Sequence, residues 1–553
     1  MRKLWEDVRV KRGYKAGNNF WNKARFGPEA LKGAQSPNRG AVQPYEGKML
    51  FTLLLGIFGR MNYQKNVLVG VLLLLARLGW AQAGAELSGH IDNDIGSTIS
   101  ISWTAQPFDT REQVVRAHPN AQGNFQVRVP ITSPTLVQLT YEGEEAPLFL
   151  EPGQAVAIKF DADNVAASRH FSPVAGRSDK KAANANNYLR EAESKYSDNE
   201  AYQVLPDNIN LLEKAFLAFL DYRRSRELAL FKQADRRGAL TPAFEAYAQA
   251  EINYAYANDR LTYVDLREQT SGDQQRLAVS PSYYDFLRDN SVVPGNEKIT
   301  SSQHYQEFLL NYVHYKAQST GRQPSDPDYY PACYQVAAQL LRGPMRPVVL
   351  GRVLLETFRL GHVAHAKALL ADYEATGQAP RRWLEQLRAA QVANAALAIG
   401  SMAPTLPLVT ATGDSLRLSD YRGKLVYLMF WDTRFPASQH ELPFLKQVTT
   451  ALKNQPVVIV TVALDEQLDT WQKAVMQTSP ALPGLHAYVP LARQASVRQA
   501  YGLNKLPNAV LLAEDGTILD PHPKRLSSRA LQDDLKAAVG RGAAYRAVTL
   551  TSL

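Results

Sequence analysis

Apolar and polar residues alternate along residues 84–165, which is the period of β-strands. Segments such as STISISW, FQVRV and AVAIKFD place an apolar side chain at every second position, and Gly, Asn and Pro residues separate them at short spacing. The pattern predicts an antiparallel, sandwich-like β-domain over residues 84–170. The polar stretch that follows, residues 171–182, contains Pro and Gly and predicts a linker.

Between residues 183 and 396 the apolar positions instead recur every three or four residues, which is the period of helices. In one of these segments four apolar side chains share a stripe, while most charges lie on the opposite face. These four are Leu212, Phe216, Phe219 and Leu220. The pattern predicts an all-α domain over residues 183–396.

Three features of this helical region are candidates for chemistry. Tyr247 and Tyr254 lie seven residues apart on one helix face, where tyrosines either line a groove or, as we favour, pack in the core. His362 and His365 share a helix without a further ligand at a telling spacing, so we expect no metal site. Cys333, the single cysteine, stands among apolar residues, which favours a buried thiol over a reactive one.

A third pattern begins near residue 398, where apolar runs alternate with helical segments. Leu425–Phe430 is continuously apolar, as in a strand covered on both faces, and residues 456–465 repeat this pattern. A final helix, with Ser527 or Ser528 as its N-terminal cap, ends the segment. Strands that alternate with helices are typical of α/β domains. The sequence therefore predicts a multidomain chain that ends in an α/β domain over residues 398–541.

The positive charge of the chain is concentrated at its N-terminus. The formal net charge is +9, yet the residues beyond position 83 hold 48 basic against 49 acidic side chains. A nucleic-acid-binding surface requires an excess of basic residues in the folded part of the protein. The charge distribution therefore argues against nucleic acid as a partner.

Residues 61–83 have the order of a secretory signal peptide. Lys65 precedes the apolar run Val67–Ala76, and Ala81-Gln82-Ala83 forms a small-residue cleavage site. The run is short for a membrane-spanning helix. We therefore expect cleavage, a periplasmic or secreted mature chain, and no stable membrane span in it. Because no cysteine directly follows the cleavage site, we expect no lipid anchor.

Residues 1–60 are basic and largely aperiodic, and a signal peptide leaves no place for such a segment before it. We interpret residues 1–60 as an extension that is not translated or is disordered, with the true translation start at Met61. The alternative is a cytoplasmic basic tail on an uncleaved anchor. Sequencing the N-terminus of the mature protein separates the two.

The stretch MFWDTRFPASQHELP, residues 429–443, carries the most specific motif of the chain. It follows GDSLRLSDYRGKLVYL and precedes YGLNKLPNAVLLAEDGTILDP. In this order the segments resemble the thioredoxin superfamily over residues 398–541, most closely its exported TlpA/ResA-like branch. The β-domain and helical domain before them are similar to the N-terminal architecture of long members of that branch. The resemblance implies a thioredoxin-like fold, a thiol–disulfide oxidoreductase ancestry and no cofactor.

The signature of that family is Phe-Trp-x-x-Trp-Cys-x-x-Cys-x-x-Glu-x-Pro, and this chain lacks both cysteines. Without gaps, Trp431 and Glu441 match the signature, whereas Phe435 and Ser438 stand at the positions of the attacking and resolving cysteines. Disulfide exchange requires a thiolate at the helix N-terminus and a second sulfur. A phenyl ring offers no nucleophile, and a serine hydroxyl is not acidic enough to attack a disulfide. The resemblance therefore implies the fold but not its redox chemistry.

The residues that remain in the motif favour binding. A helix N-terminus offers free N–H groups to an anion or a carbonyl, and Pro507, the counterpart of the family's cis-proline, would hold Leu506 for pairing with an extended peptide. We therefore predict a redox-inactive module that binds an envelope protein, a peptide or a small ligand without cofactor or metal. The predicted binding residues are Trp431, Asp432, Arg434, Phe435, Ser438, His440, Glu441, Leu506 and Pro507.

Three alternatives stay open at this point. The chain could be a thiol–disulfide oxidoreductase acting by a route other than CxxC, with Cys333 brought to the same loop from the helical domain. Ser438 could be a hydrolytic nucleophile activated by His440 with Glu441 or Asp432, although neighbours in sequence face different directions on a helix. The loop could also be a decayed site on a fold kept for packing or assembly.

Overall fold

The computed structural model describes residues 84–104, 112–175, 179–197, 199–205, 208–270, 278–294, 299–324, 326, 328–476, 483–528 and 530–551. The extension 1–60 and the signal peptide 61–83 inferred from the sequence lie outside the described residues. Within these ranges, no helix is both long and apolar enough to cross a bilayer.

The N-terminal domain is a β-sandwich whose two four-stranded sheets share one apolar core. Its strands are β1 (Ala85–Asp92), β2 (Ile99–Thr104), β3 (Glu112–Ala117), β4 (Asn124–Val129), β5 (Thr135–Tyr141), β6 (Glu144–Leu150), β7 (Ala155–Asp161) and β8 (His170–Pro173), with helix α1 (Val165–Ser168) before β8. The sheet orders are β4-β1-β7-β8 and β3-β2-β5-β6. All pairs are antiparallel except β1 with β7, which run parallel. The alternating pattern therefore produces the predicted architecture, because alternate residues of each strand face the shared core.

The stretch 171–182, predicted as a linker, is partly regular structure. Strand β8 continues to Pro173, and helix α2 begins at Lys180. Phe171 is buried in the β-domain core, and its backbone N–H and C=O pair with the side-chain amide of Asn187 on α2. A single apolar residue and a distant amide hold this segment, so its polar composition did not reveal it.

The central domain is all-helical. It consists of α2 (Lys180–Ala192), α3 (Glu213–Ala234), α4 (Pro242–Thr270), α5 (Gln303–Gln318), α6 (Tyr329–Leu340), α7 (Met345–Arg359), α8 (Val363–Ala375) and α9 (Arg381–Asn394). Tyr247 and Tyr254 are buried core residues and do not line a groove. The predicted stripe of α3 is buried except for Leu212, which is 69% exposed because it precedes the helix and so leaves its face.

The C-terminal domain is an α/β domain with a seven-stranded sheet of order β10-β9-β13-β12-β11-β14-β15. The strands are β9 (Leu408–Thr410), β10 (Ser415–Leu416), β11 (Leu425–Trp431), β12 (Val457–Ala463), β13 (Leu485–Tyr488), β14 (Asn508–Leu512) and β15 (Ile518–Asp520). The helices are α10 (Pro436–Glu441), α11 (Phe444–Ala451), α12 (Leu468–Met476), α13 (Leu491–Ala500) and α14 (Ala530–Thr551). Every residue of β11 is buried, because its alternate side chains enter the cores on the two faces of the sheet.

A glycine marks the junction between the helical domain and the α/β domain. Gly361 has φ +83°, and its carbonyl accepts a hydrogen bond from the N–H of Ile399 at 2.9 Å. A Cβ added at Gly361 would lie 2.8 Å from Cγ of Pro521, which follows β15. Only glycine therefore fits both the backbone conformation and the space between the two domains at this position.

Candidate functional site

The loops around the motif meet at one edge of the seven-stranded sheet. Strands β11, β12 and β13 run parallel, so their carboxyl ends lie at the same edge. Strand β14 is antiparallel to β11, so the loop before it arrives at this edge as well. We call the segments 432–435, 464–468, 489–491 and 504–507 the loop edge.

Two buried carboxylates hold the loop that follows β11. Asp432 accepts hydrogen bonds from the backbone N–H of Arg434 at 2.9 Å, from its Nε at 3.0 Å and from its Nη2 at 2.7 Å. Oδ1 of Asp465, which follows β12, accepts from both the N–H and the hydroxyl of Thr433. Arg434 also reaches Glu466 through Nη1 at 2.7 Å. The loop is therefore tied to the end of β12.

The two carboxylates respond to this environment in opposite directions. Burial by itself would raise the pKa of Asp432, but the hydrogen bonds and charge of Arg434 outweigh it, so the pKa lies below its usual value. Burial raises the pKa of Asp465 above its usual value despite the bonds from Thr433. Oδ2 of Asp465 has no hydrogen-bond partner in the described part of the chain. On acidification Asp465 therefore protonates first, while the Asp432–Arg434 pair persists.

The two positions of the family's cysteines differ in accessibility. Phe435 has an extended backbone, with φ −98° and ψ 115°, and directly precedes α10. Its ring is 45% exposed. Ser438 is fully buried, and its Oγ lacks a hydrogen-bond partner among the described residues. The outer position is therefore an exposed apolar ring and the inner position a buried hydroxyl, and neither is a redox-active group.

Glu441 is a structural contact of the loop edge and is not part of its surface. Its carboxylate is buried and accepts hydrogen bonds from the N–H and the Oγ of Ser527, each at 2.8 Å. Ser527, predicted as a candidate cap of the final helix, instead binds α10 through Glu441. The side chain of Ser528 makes no hydrogen bond within the described residues. This pairing fastens α10 to the segment before α14.

The hydrolytic arrangement considered from the sequence is not formed. Oγ of Ser438 is unpaired among the described residues, and His440 is exposed, with its ring against Phe444 at 5.6 Å between centroids. Nδ1 of His440 lies 3.8 Å from Oε1 of Glu441, beyond hydrogen-bonding distance. Activation of Ser438 by His440 requires a hydrogen bond between the two side chains, and the structure does not contain it.

The predicted binding residues therefore separate by accessibility. Arg434, Phe435 and His440 are exposed, and Leu506 and Pro507, which are joined by a cis peptide bond, are half-buried. The others, namely Trp431, Asp432, Ser438 and Glu441, are buried. The exposed residues are available to a ligand, whereas the buried ones support the loop from beneath.

The loop edge contains two further exposed apolar side chains that the sequence analysis did not include among the predicted binding residues. Leu468 begins α12 after β12 and is 41% exposed, and Leu491 begins α13 after β13 and is 57% exposed. Each of the two leucines lies a few residues after the end of a strand, Leu468 after β12 and Leu491 after β13. Their position after the strands could have indicated this location from the sequence, because the residues that follow parallel strands lie at one edge of the sheet.

The single cysteine lies in the helical core, which confirms the predicted buried thiol. Sγ of Cys333 lies 3.5 Å from Nδ1 of His314, which also lies 2.9 Å from the hydroxyl of Tyr329. Nε2 of His314 lies 2.9 Å from Oε2 of Glu356. These neighbours belong to α5, α6 and α7, so the contacts of this sulfur are with the helical domain.

His362 and His365 lie side by side at the start of α8, with ring centroids 6.3 Å apart. His362 also packs against Tyr330, at 5.1 Å between ring centroids. The described ranges contain no group of three or more His, Cys, Asp or Glu side chains placed to hold a metal ion. The histidine pair is thus accounted for by aromatic packing on α6.

Comparisons with known proteins agree with this fold. A family model described as thioredoxin-like matches residues 423–518. The thiol-disulfide oxidoreductase ResA of Geobacillus kaustophilus is 32% identical over 123 residues, which are 22% of this chain and 68% of the relative. ResA of Geobacillus thermodenitrificans is 30% identical over 141 residues, which are 26% of this chain and 76% of the relative.

Solved structures were also found. A thiol:disulfide interchange protein from a Bacteroides species is 25% identical, with 26% of this chain and 92% of that chain covered and a TM-score of 0.24. A thioredoxin-like protein from Bacteroides caccae is 18% identical, with 48% of this chain and 96% of that chain covered and a TM-score of 0.28. The two ResA proteins share 30% identity or more over at least 68% of their own length. With a thioredoxin-like α/β domain at its C-terminus, the chain therefore belongs to the family of the ResA thiol-disulfide oxidoreductases.

Proposed function

We propose that this family member is a redox-inactive binding module, and that its loop edge contacts a protein or peptide of the cell envelope. The observation that carries the proposal is Phe435. At the position of the attacking cysteine stands a ring that is 45% exposed. An exposed aromatic ring is a binding group that buries a large apolar area on contact and performs no thiol chemistry.

The position of the single cysteine argues against disulfide exchange. Exchange requires an accessible thiolate and a second sulfur to release the mixed disulfide. The two family positions are Phe435 and Ser438, and the remaining thiol, Cys333, is buried among helices of the central domain. A route through Cys333 would require the helical core to open, because His314 and Tyr329 cover its sulfur.

The loop edge presents several large apolar side chains together. Phe435, Leu468 and Leu491 each follow one of three adjacent parallel strands and are each more than two-fifths exposed. Single exposed apolar residues are ordinary, whereas several at one edge are typical of an interaction surface. Such a surface suits a partner that offers apolar side chains along an extended segment.

The loop is also held in place before any partner arrives. The two loop residues before Phe435 are held by acidic side chains. Thr433 donates a hydrogen bond to Asp465. Arg434 donates hydrogen bonds to Asp432 and Glu466. Ordering a side chain or loop on binding costs about 0.5–1.5 kcal/mol for each immobilised flexible side chain. A loop ordered in advance avoids most of that cost. The buried carboxylates therefore support binding even though they do not face the ligand.

The cellular location of the partner is inferred from the signal peptide predicted over residues 61–83. With residues 61–83 read as a cleaved signal peptide and without a cysteine directly after it, the mature chain is periplasmic or secreted and carries no lipid. The partner is accordingly an envelope protein or an exported peptide. Nucleic acid does not fit the nearly neutral mature chain.

Insulin reduction in the presence of dithiothreitol tests the redox part of the proposal. We expect the wild-type protein to leave the rate at the value measured without protein. A ResA-type protein that retains both cysteines is the positive control. Turnover above the background rate would contradict the redox-inactive assignment.

Capture from an envelope extract tests the binding part. Wild-type protein is compared with Phe435→Ser and Leu491→Ser, and Val392→Ser serves as the matched control because Val392 is an exposed apolar residue on α9. We expect the first two variants to lose the captured protein and the control to retain it. Equal recovery with all variants would contradict the loop edge as the binding surface.

A further inference from the structure

Strand β3 (Glu112–Ala117) forms an open edge of the β-sandwich. Within the described residues it pairs with β2 alone, as the first strand of the sheet β3-β2-β5-β6. In an antiparallel pair only alternate residues direct their N–H and C=O groups to the neighbouring strand, so the other residues of β3 direct theirs away from β2. These outward groups make no backbone hydrogen bond within the described ranges. Strand β3 therefore presents backbone donors and acceptors with which another strand can pair.

Two other edges of the β-sandwich are covered by helix α2. On edge strand β6, the N–H and C=O of Phe149 pair with the side-chain amide of Asn186, at 2.8 and 2.9 Å. On edge strand β8, the N–H and C=O of Phe171 pair with the amide of Asn187, at 3.0 and 2.8 Å. The remaining edge strand, β4, exposes only polar side chains. Among the edges described, β3 is thus the one that combines an open backbone with an exposed apolar side chain, that of Val114.

The outward face of β3 carries a valine between two opposite charges. Glu112, Val114 and Arg116 are exposed and share this face, because side chains alternate along a strand. Val115 and Ala117 lie on the other face and pack against the core of the β-sandwich. Val114 itself is 42% exposed. An acid thus stands two residues before the exposed valine and a base two residues after it.

This pattern is complementary to itself in one register. When two β3 strands pair antiparallel with Val114 opposite Val114 of the second copy, Glu112 of each copy lies opposite Arg116 of the other. Side chains directly opposite each other in an antiparallel pair lie on the same face, with Cβ atoms about 4.5–5.5 Å apart. One valine contact and two ion pairs therefore form together, in addition to the backbone hydrogen bonds.

The same charges disfavour other registers. A parallel, in-register pair places Glu112 opposite Glu112 and Arg116 opposite Arg116, and like charges directly opposite each other are destabilising. An antiparallel pair shifted by two residues places one of the charges opposite Val114 of the second copy, so the two ion pairs are lost. The charge pattern of β3 therefore selects the register centred on Val114.

We infer that β3 is a self-association surface, through which two copies of this chain join their four-stranded sheets into one continuous sheet. The joined sheet runs β6-β5-β2-β3 in one copy and continues as β3-β2-β5-β6 in the other. A pairing through one short strand covers a small area, so the dimer is weak and its population depends on protein concentration. This surface belongs to the β-domain, and the inference does not depend on the function proposed for the loop edge.

Sedimentation equilibrium of the full chain over a series of concentrations tests the inference. We expect the wild type to pass from monomer to dimer as the concentration rises. Glu112→Arg and Arg116→Glu each place like charges opposite one another at both ends of the pairing. We expect either variant to raise the dissociation constant at least about tenfold at low salt. Glu385→Arg, which changes an exposed acid of α9 in the same way, is the control and should leave the dissociation constant unchanged.

Two combinations of these substitutions restore the opposite charges. In an equimolar mixture of Glu112→Arg and Arg116→Glu copies, the strand with two bases meets the strand with two acids. In the double variant Glu112→Arg with Arg116→Glu, the acid and the base exchange places and the pattern is again complementary to itself. We expect dimers in both cases, with an affinity close to that of the wild type. Such recovery distinguishes strand pairing from damage to the fold by a single substitution.

Three results would overturn the inference. A wild-type chain that stays monomeric up to about 0.5 mM has no self-association of the strength expected for a small interface, and β3 is then left to a different partner. A dimer that neither single charge variant weakens is held by another surface. Dimers that are lost in the single variants and are not restored in the mixture and in the double variant do not pair through the charges of β3.

Discussion

The contact between Glu441 and Ser527 carries the sharpest stability prediction. Glu441 is buried and accepts two hydrogen bonds at 2.8 Å, one from the backbone N–H and one from the hydroxyl of Ser527. A hydrogen bond to a charged group contributes about 1.5–3 kcal/mol. Glu441→Ala removes both and leaves two donors unsatisfied, so we expect the free energy of unfolding to fall by about 3–5 kcal/mol.

Ser527→Ala removes only the hydroxyl donor and keeps the backbone bond. We expect it to lower the free energy of unfolding by about 1–2 kcal/mol. In the double variant that hydroxyl bond is already lost, so the effects are not additive and the coupling energy is about 1–2 kcal/mol. The cycle therefore isolates the contact from the cavity that Glu441→Ala leaves.

The assay is urea unfolding of the full chain followed by tryptophan fluorescence. Trp431 and Trp471 are buried in the α/β domain and report on its unfolding. Glu385→Gln, which removes an exposed ion pair on α9, is the matched control and should change the free energy of unfolding by less than about 0.5 kcal/mol. A coupling energy below about 0.3 kcal/mol would refute the role assigned to the Glu441–Ser527 contact.

Three further predictions concern the junction and the loop. Gly361→Ala should lower the free energy of unfolding by about 1–3 kcal/mol, measured by thermal unfolding, because φ is +83° and the added Cβ meets Pro521; Gly377→Ala, which also has positive φ but open space, is the control and should cost less. The double variant Phe435→Cys with Ser438→Cys should gain insulin reductase activity, since α10 and its loop are retained; an inactive, folded double variant would contradict the shared scaffold. Asp432→Asn should lower the free energy of unfolding by about 2 kcal/mol at neutral pH, measured by urea unfolding. The pKa of Asp432 is lowered in the folded state, so its carboxylate stabilises the fold at a pH above its usual pKa, and this contribution is lost as the pH falls through the folded pKa. A difference between wild type and variant that persists unchanged in strong acid would contradict the pairing of Asp432 with Arg434.

Local periodicity determined the kind of each domain. The alternation before residue 170, the helical spacing after residue 183 and the continuous apolar run Leu425–Phe430 are properties of neighbouring residues. They dictate which face of each element is apolar, and burial of those faces gives a β-sandwich, a helical domain and an α/β domain. The resemblance of the motif to the family signature implied that Phe435 and Ser438 occupy the positions of the two cysteines.

Contacts between residues far apart in the chain were decided only in the tertiary structure. Leu212 follows the apolar spacing of α3 yet is exposed, because the helix begins one residue later. Ser527 resembles a helix cap locally, but its donors are taken by a carboxylate 86 residues away. Local patterns encode faces and turns, whereas the partner of a polar side chain depends on which elements the packed core brings together.

The candidate site divides along the same line. The match to the family signature already showed that the loop after β11 carries no cysteine at the two thiol positions, although the residues around it follow the family pattern. The accessibility of these residues follows from the packed domain: Phe435 and Arg434 are exposed, whereas Ser438 and Glu441 are buried. The exposed residues Leu468 and Leu491 lie at the same edge of the sheet as Phe435. The reason is that burial of the parallel strands places their ends side by side, and this arrangement is a property of the sheet, not of any one segment.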